Sequence, residues 1–383
     1  MRSLAFLCLL FAAPTLAETP RVAADIGPVH SLVRSVMAGA GEPDLILPPG
    51  ASPHGYAMRP SEARALSAAD LVVWVGPALS PWLAEPVETL APEAVHLEVM
   101  DLPGLTLLPF RTGEMFAGGH DGHDHGAHDG HGDEAHGHED HAEHGHDEHD
   151  HGEKAHKDHA HHEGAEDAQG HDDHAEDVHE AASHDHDDHG HDDHAHDEHA
   201  DLHDDDHADH ASGVDPHVWL DPRNGILILE AVAEALAALD PENAALYREN
   251  AAAEAARIET LELQIAAQLR ESAPVPFVVA HDAYHYFEAR FDRLASGAIS
   301  FADDAEARPA HLAELRDRVT ELDIACVLAE PQSQLGLISA VFEGGAVRVE
   351  TIDMMGVDLG TGPDLYTQIL SQTAEALTAC GRE

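Results

Sequence analysis

Basic residues are scarce in this chain of 383 residues. There are 19 lysines and arginines against 74 aspartates and glutamates, which gives a formal net charge of −55. Proteins that bind nucleic acids neutralise the phosphates with clustered lysine and arginine side chains. The charge balance therefore excludes nucleic acid as an expected partner, whereas an acidic surface attracts cations.

The sequence also has no apolar run long enough to span a bilayer, which requires about 20 residues. Arg2 precedes a short apolar run at residues 4–13, and small residues lead up to Glu18. This pattern predicts that residues 1–17 are a secretory signal peptide cleaved after Ala17. The mature protein is therefore expected in a bacterial periplasm.

Cysteine is rare as well, with three residues in the whole chain. Cys8 lies inside the predicted signal peptide, so only Cys326 and Cys380 remain after cleavage. An even pair in an oxidising compartment favours a disulfide bond. The alternative is a buried thiol at one position and a free thiol in the C-terminal tail at the other.

Histidine, by contrast, is abundant and concentrated. Residues 120–210 hold 29 of the 36 histidines together with 33 carboxylates and two lysines, and they contain no aromatic residue. Such a segment cannot bury enough apolar surface to offset its conformational entropy, so residues 117–212 are predicted to be a disordered insertion. Because imidazole and carboxylate bind transition metals, we expect this His-rich tract to collect metal ions at many exchangeable sites.

The rest of the chain alternates short apolar runs with amphipathic helical patterns. Strands are predicted at residues 21–26, 44–47, 71–75, 95–99, 277–280, 326–329 and 347–352. This alternation predicts an α/β fold with two lobes of parallel sheet flanked by helices. Four of the predicted strands precede the tract and three follow it.

A long helical pattern separates the two predicted lobes. Residues 241–271 contain no internal proline or glycine, and Asp240 stands where an N-cap would be expected. The predicted domains are an N-terminal lobe at 18–240, a rigid connecting helix at 241–271 and a C-terminal lobe at 272–383. The alternative is a surface helix that bends against one lobe.

Three histidines outside the tract lie where a binding site is expected in such a fold. His54 is on the loop after a predicted strand, His281 directly follows another, and His217 precedes a helix. Ligands of open α/β sheets bind beyond the carboxyl ends of the strands. Three imidazoles with one oxygen ligand form a tetrahedral Zn²⁺ site, which we expect in the cleft between the lobes.

The oxygen ligand has several candidates. Asp353 follows the last predicted strand and is the leading one. Glu330 also ends a strand, although a structural or lid role is equally compatible with its position, and a water molecule would serve as well. The other four histidines outside the tract (His30, His96, His285 and His311) are expected to be surface or hydrogen-bonded residues. The alternative for His285, one turn after His281, is to support that ligand, and for His30 it is a place at the edge of the cleft.

Several segments together resemble the periplasmic zinc-binding proteins of ZnuA type, the solute-binding components of ABC importers. They are PGASPHGYAMRPS at 49–61, ADLVVWVGP at 69–77, DPHVWLDP at 215–222, HDAYHYF at 281–287 and EPQ at 330–332. The resemblance implies zinc binding by His54, His217 and His281, a long helix between the lobes, and a disulfide between the two cysteines. Some zinc members place a glutamate before the first histidine; Pro53 occupies that position here, which leaves Asp353 or water.

The expected function is that of a monomeric receptor that captures zinc and passes it to a membrane permease, with the His-rich tract collecting or sensing the ion. A periplasmic zinc buffer without a permease is the main alternative. A secreted zinc hydrolase is a weaker alternative. The His-Glu-x-x-His pattern of many zinc enzymes does not occur in the sequence, and HDAYH at 281–285 lacks the glutamate that this pattern requires.

Overall fold

The computed structural model describes residues 19–111, 116, 213–300 and 309–381. The predicted signal peptide and His-rich tract lie outside these residues.

The first four strands form one sheet: β1 (Val22–Ala24), β2 (Asp44–Leu45), β3 (Leu71–Trp74) and β4 (Val95–Glu98). Their order is β2-β1-β3-β4, all neighbours are parallel, and the helices α1 (Gly27–Val36), α2 (Pro60–Ala68) and α3 (Pro81–Leu90) connect them. The apolar β3 is buried along its whole length, as expected for a covered parallel sheet.

Two long helices follow the tract. Helix α4 (Pro222–Leu239) is capped at its N-terminus by Asp221, whose side chain accepts a hydrogen bond from the backbone N–H of Arg223. Helix α5 (Ala244–Glu271) begins three residues later than predicted. Asp240 is therefore not its N-cap; instead it accepts hydrogen bonds from Asn243 and Tyr247 in the connection between the helices.

The C-terminal part contains a second parallel sheet with the same arrangement. Its elements are β5 (Val278–His281), α6 (His285–Phe291), β6 (Ala298–Ser300), α7 (Pro309–Glu321), β7 (Cys326–Ala329), α8 (Leu335–Val341), β8 (Arg348–Thr351) and α9 (Leu365–Cys380). The strand order is β6-β5-β7-β8. The prediction of three strands after the tract was wrong, because β6 has only three residues and gives too short a pattern to recognise. The predicted α/β class with two parallel sheets is confirmed.

Both sheets contribute to one apolar core, which includes Val73 of β3 and Leu328 of β7. Helix α5 packs along α4 and also contacts α1 and α9. Its role as a rigid connector, and the division at 240 and 271, stay predictions. The disulfide between Cys326 and Cys380 is present, and it ties β7 to the end of α9. In the described part of the chain, no helix is long and apolar enough to cross a membrane.

Candidate metal site

The first of the three histidines, His54, lies on the loop that follows β2. Gly50 begins this loop with φ of +82°, a left-handed conformation that favours glycine. Trp82 of α3 donates from its ring nitrogen to the carbonyl oxygen of Pro53 at 2.8 Å, and its ring packs against Tyr56 with centroids 5.3 Å apart. These contacts fix the loop next to α3, while His54 stays half-buried.

His217 lies just before a 3-10 turn, Val218–Leu220, that leads into α4. Its side chain is buried, and Asp215 accepts its backbone N–H at 2.9 Å. The same carboxylate oxygen lies 2.7 Å from the ring Nδ1. A carboxylate in this position holds the proton on Nδ1, so Nε2 is presented as the metal ligand. The Asp-Pro-His spacing therefore orients the imidazole.

His281 is the last residue of β5, and it is also buried. Glu330 follows the neighbouring strand β7, and one of its carboxylate oxygens lies 3.9 Å from the His281 Nδ1. The hydroxyl group of Tyr284 donates to this oxygen at 2.6 Å. Ser333 donates to the other oxygen at 2.8 Å, so Glu330 is held directly behind the His281 ring.

The structure brings the rings of the three histidines next to one another. Their ring centroids are 5.7 Å apart for His54 and His217, 6.0 Å for His54 and His281, and 5.3 Å for His217 and His281. One ring nitrogen from each lies within 4.8 Å of the other two. Nitrogens that bind one tetrahedral zinc ion at about 2.0–2.1 Å are roughly 3.4 Å apart, so the group needs to contract only slightly around an ion.

Asp353 is not part of this group, which contains only histidines among the described residues. The residue is buried directly after β8. Its two carboxylate oxygens accept the backbone N–H groups of Val357 and Asp358 at 2.8 and 2.7 Å. Asp353 therefore stabilises the loop after β8 in this arrangement.

The other histidines outside the tract are not in the group. One ring nitrogen of each of three lies near a backbone carbonyl oxygen: His30 near Pro43, His96 near Ala91, and His311 near Ala298. His285 begins α6 and is half-buried, and burial together with the nearby Arg111 lowers its pKa. Three of these four histidines therefore have a backbone hydrogen-bonding partner.

An ionic cluster behind His281 was missed by the sequence reasoning. Arg111 donates to Asp282, the residue after His281, at 2.8 Å from Nε and to Glu288 at 2.5 Å. Burial opposes the charge of Arg111, but the two carboxylates raise its pKa above the ordinary value. The adjacency of Asp282 to His281 was a signal in the sequence, whereas the distant Arg111 gave none.

Comparisons with known proteins identify the family of this chain. The family model described as zinc-uptake complex component A, periplasmic (ZnuA), matches residues 22–380. The chain belongs to the ZnuA family. It is 34% identical to the high-affinity zinc uptake system protein ZnuA of Brucella abortus (strain 2308) over 377 residues, covering 98% of this chain and 96% of the relative. Identity to the protein of the same name from Paracoccus denitrificans is 38% over 370 residues, covering 96% and 94%.

Solved structures of ZnuA-like proteins share the fold. One described as the crystal structure of ZnuA aligns with a TM-score of 0.62 at 16% identity, covering 95% of this chain and all of the other. The periplasmic zinc-binding protein TroA from Treponema pallidum aligns with a TM-score of 0.61 at 16% identity, with the same coverage. The curated relatives are named as proteins of a high-affinity zinc uptake system.

Proposed function

We propose that this protein is a periplasmic receptor that binds Zn²⁺ with His54, His217 and His281 and delivers it to the permease of an ABC importer. The observation that supports it is the convergence of three ring nitrogens within 4.8 Å. Two of the three imidazoles are buried beside carboxylates, which favour a fixed ring orientation. The protein itself performs no chemistry on its cargo.

The ligand set favours zinc over the harder divalent cations. Imidazole nitrogen suits zinc, copper and nickel, whereas Mn²⁺, Mg²⁺ and Ca²⁺ prefer carboxylate, carbonyl and water oxygen. A site with three nitrogens and no carboxylate among its described members therefore selects against the latter. The names of the relatives, which refer to zinc uptake, support zinc as the physiological cargo.

The fourth ligand is proposed to be a water molecule, with Asp353 as the alternative. Asp353 is not among the described residues that group with the three histidines, and its two oxygens stabilise the loop after β8 by accepting backbone N–H groups. Replacement of Asp353 with asparagine separates the two possibilities. A water ligand predicts a small change in zinc affinity, whereas direct coordination predicts a loss comparable to that of a histidine ligand.

The His-rich tract at residues 117–212 is proposed to collect zinc at weak, rapidly exchanging sites and to pass it to the three histidines; a sensing role is the alternative. Its 29 histidines between residues 120 and 210 support this role. Deletion of residues 120–210 tests it. Unchanged affinity of the three-histidine site with slower uptake at low zinc supports collection, whereas faster uptake at high zinc supports sensing.

The remaining parts of the proposal concern cellular context. Residues 1–17 act as the signal peptide with cleavage after Ala17, the mature protein is a monomer, and a membrane permease receives the ion. Growth under zinc chelation tests the permease link. A receptor is required for growth under these conditions together with its permease, whereas a periplasmic buffer is not.

The decisive experiment is a zinc titration against a competing chelator. The protein lacking residues 120–210 is compared with the same protein carrying alanine at His54, His217 and His281. One tight site that disappears in the triple variant is expected. Absence of a tight site after the deletion would contradict the proposal and would make the tract itself the main binder.

A further inference from the structure

The two segments that flank the His-rich tract pair with each other at its base. Residues 108–111 and 213–215, here called the base ribbon, run antiparallel. Phe110 donates its backbone N–H to the carbonyl oxygen of Gly213 at 3.1 Å, and the neighbouring residues form an isolated bridge. The base ribbon belongs to the same compact unit as the metal site.

One end of the base ribbon is bonded to the segment that carries His217. Asp215, which orients the His217 ring, donates its backbone N–H to the carbonyl oxygen of Leu108 at 2.9 Å. The buried hydroxyl group of Tyr286 joins the same two residues, because it accepts the N–H of Leu108 at 3.0 Å and donates to the carbonyl oxygen of Asp215 at 2.7 Å. A shift of the ribbon would therefore move the carboxylate that holds His217.

The other end is bonded to the segment that carries His281. Arg111 of the base ribbon lies between Asp282 and Glu288 with a side chain that is only 10% exposed, and its guanidinium carbon lies 3.8 Å from the centre of the Phe116 ring. The planar guanidinium group donates to both carboxylates at once, which a lysine ammonium group cannot do in the same geometry. Asp282 directly follows His281, so this bond reaches the end of β5.

We propose that Arg111 is a positioning residue for zinc binding. It ties the base ribbon, and with it Asp215, to Asp282, and this connection sets the separation of the His217 and His281 rings. The inference rests on the proposed function, because it assumes that these two rings bind the zinc ion. It adds a residue that lies outside the group of ligands and makes no direct contact with the ion.

The test uses the full-length mature protein and the fluorescence of its tryptophans. The His217 ring lies 5.4 Å from the Trp219 ring, and Trp82 holds the His54 loop, whereas residues 120–210 contain no tryptophan. Fluorescence measured in chelator-buffered zinc therefore reports the three-histidine site even when the tract is present.

The variants are Arg111→Met and Arg111→Lys, with Arg257→Met as the matched control. Arg257 also pairs with a buried carboxylate, that of Glu254, but its own side chain is 53% exposed, so this variant controls for the loss of a guanidinium–carboxylate pair elsewhere in the fold. We expect about tenfold weaker zinc binding in Arg111→Met, near the lower end of the effect of groups behind a metal ligand. Arg111→Lys is expected to restore part of the affinity, and Arg257→Met to bind within about twofold of the unsubstituted protein.

Contrary results separate the inference from the proposed function. Undiminished zinc affinity in both Arg111 variants would overturn the inference. The proposed function would still stand if His217→Ala abolishes the site that the fluorescence reports. An equal loss in Arg257→Met would also overturn it, because the effect would then be one of general stability. If Arg111→Met does not fold, Arg111→Lys decides: about threefold or greater weakening supports the inference, and unchanged binding overturns it. Retention of the site in His217→Ala would instead refute the proposed function.

Discussion

The two sheets share one strand order, but the residues that follow two equivalent strands have different hydrogen-bonding partners. β1 and β5 occupy equivalent places, and each is followed by a buried aspartate, Asp25 and Asp282. Asp25 accepts only backbone N–H groups, from Ile26 and Val75, both at 2.8 Å, and burial raises its pKa to about 7. Asp282 is bonded to the guanidinium group of Arg111 instead. The carboxylate of the second sheet is thus bonded to a cationic side chain, whereas burial favours protonation of its counterpart.

The proposed metal ligands also differ between the two sheets. His281 is itself the end of β5, and a strand end fixes a side chain precisely, whereas the first sheet supplies His54 from a loop. His281 is 3% exposed and His54 is half-buried. We infer that the second sheet and the His217 segment provide the preformed part of the site, and that the His54 loop completes it when an ion arrives.

Removal of a ligand from each part gives the largest expected effect. His281→Ala should weaken zinc binding more than about 100-fold, beyond the 10–100-fold range typical of groups behind a ligand. His54→Ala should cost less, because two buried and oriented imidazoles remain. Chelator-competition titration of both variants measures the difference. A greater loss in His54→Ala would reverse the assignment of the preformed part.

Removal of a hydrogen-bonding partner should give the next largest effect. Asp215→Asn leaves the size of the side chain unchanged but replaces the charged acceptor at Nδ1 of His217 with a neutral amide. We expect zinc binding to weaken by about 10-fold to 100-fold, measured by the same titration. Asp221→Asn is the control, since this carboxylate caps α4 and binds Arg290; it should lower stability more than affinity.

The sequence predicts most of this arrangement because its signals are local. Each of the seven predicted strand segments overlaps one of the eight strands, and the three histidines stand at a strand end, on the loop after a strand or before a helix. The three residues of β6 give no usable pattern. The start of α5 was misplaced because Asp240 and the following Pro241 resemble a helix start, whereas the hydrogen bonds of Asp240 to Asn243 and Tyr247 place it in the connection.

The environment of the ligands was harder to predict because it depends on contacts between distant segments. Arg111 and Asp282 are 171 positions apart, and Tyr286 reaches residues on both sides of the tract. Asp353 stood at a strand end like His281, and sequence alone gave no sign that both of its oxygens accept backbone N–H groups. Position in the sheet was predictable, whereas the direction of each carboxylate was not.

The protonation of Asp25 gives a test by pH. Its pKa is about 7 in the folded state and close to 3.8 in the unfolded chain. Between these values the folded state holds a proton that the unfolded state has released, so this group makes the protein less stable as the pH rises from about 4 to 7. The contribution is at most about 1.4 kcal/mol per pH unit. Asp25→Asn should remove it, as measured by urea unfolding of the metal-free protein at pH 5, 6 and 7.

Asp240→Asn provides a control of opposite sign. Burial raises the pKa of Asp240, but the hydrogen bonds from Asn243 and Tyr247 lower it by more. The pKa of Asp240 is therefore below its ordinary value. Its stabilisation is therefore present above the unfolded-state pKa and is lost as the pH falls. Asp25→Asn should flatten a decline toward neutral pH, whereas Asp240→Asn should lower the stability above the unfolded-state pKa of Asp240 and differ less from the unsubstituted protein as the pH falls. The same pH dependence in Asp25→Asn as in the unsubstituted protein would show that Asp25 is charged in the fold.

The smallest expected effect concerns the loop that carries His54. Trp82→Phe removes the hydrogen bond to Pro53 while keeping an aromatic ring beside Tyr56. One hydrogen bond contributes about 1 kcal/mol, so zinc should dissociate about fivefold faster, and the free energy of unfolding should fall by no more than about 1 kcal/mol. Stopped-flow transfer to a chelator measures this rate in protein lacking residues 120–210. Trp74→Phe is the matched control, because this buried indole of β3 does not hold the His54 loop. Equal acceleration of zinc release in both variants would mean that packing of the first sheet controls release, and not the hydrogen bond from Trp82 to Pro53.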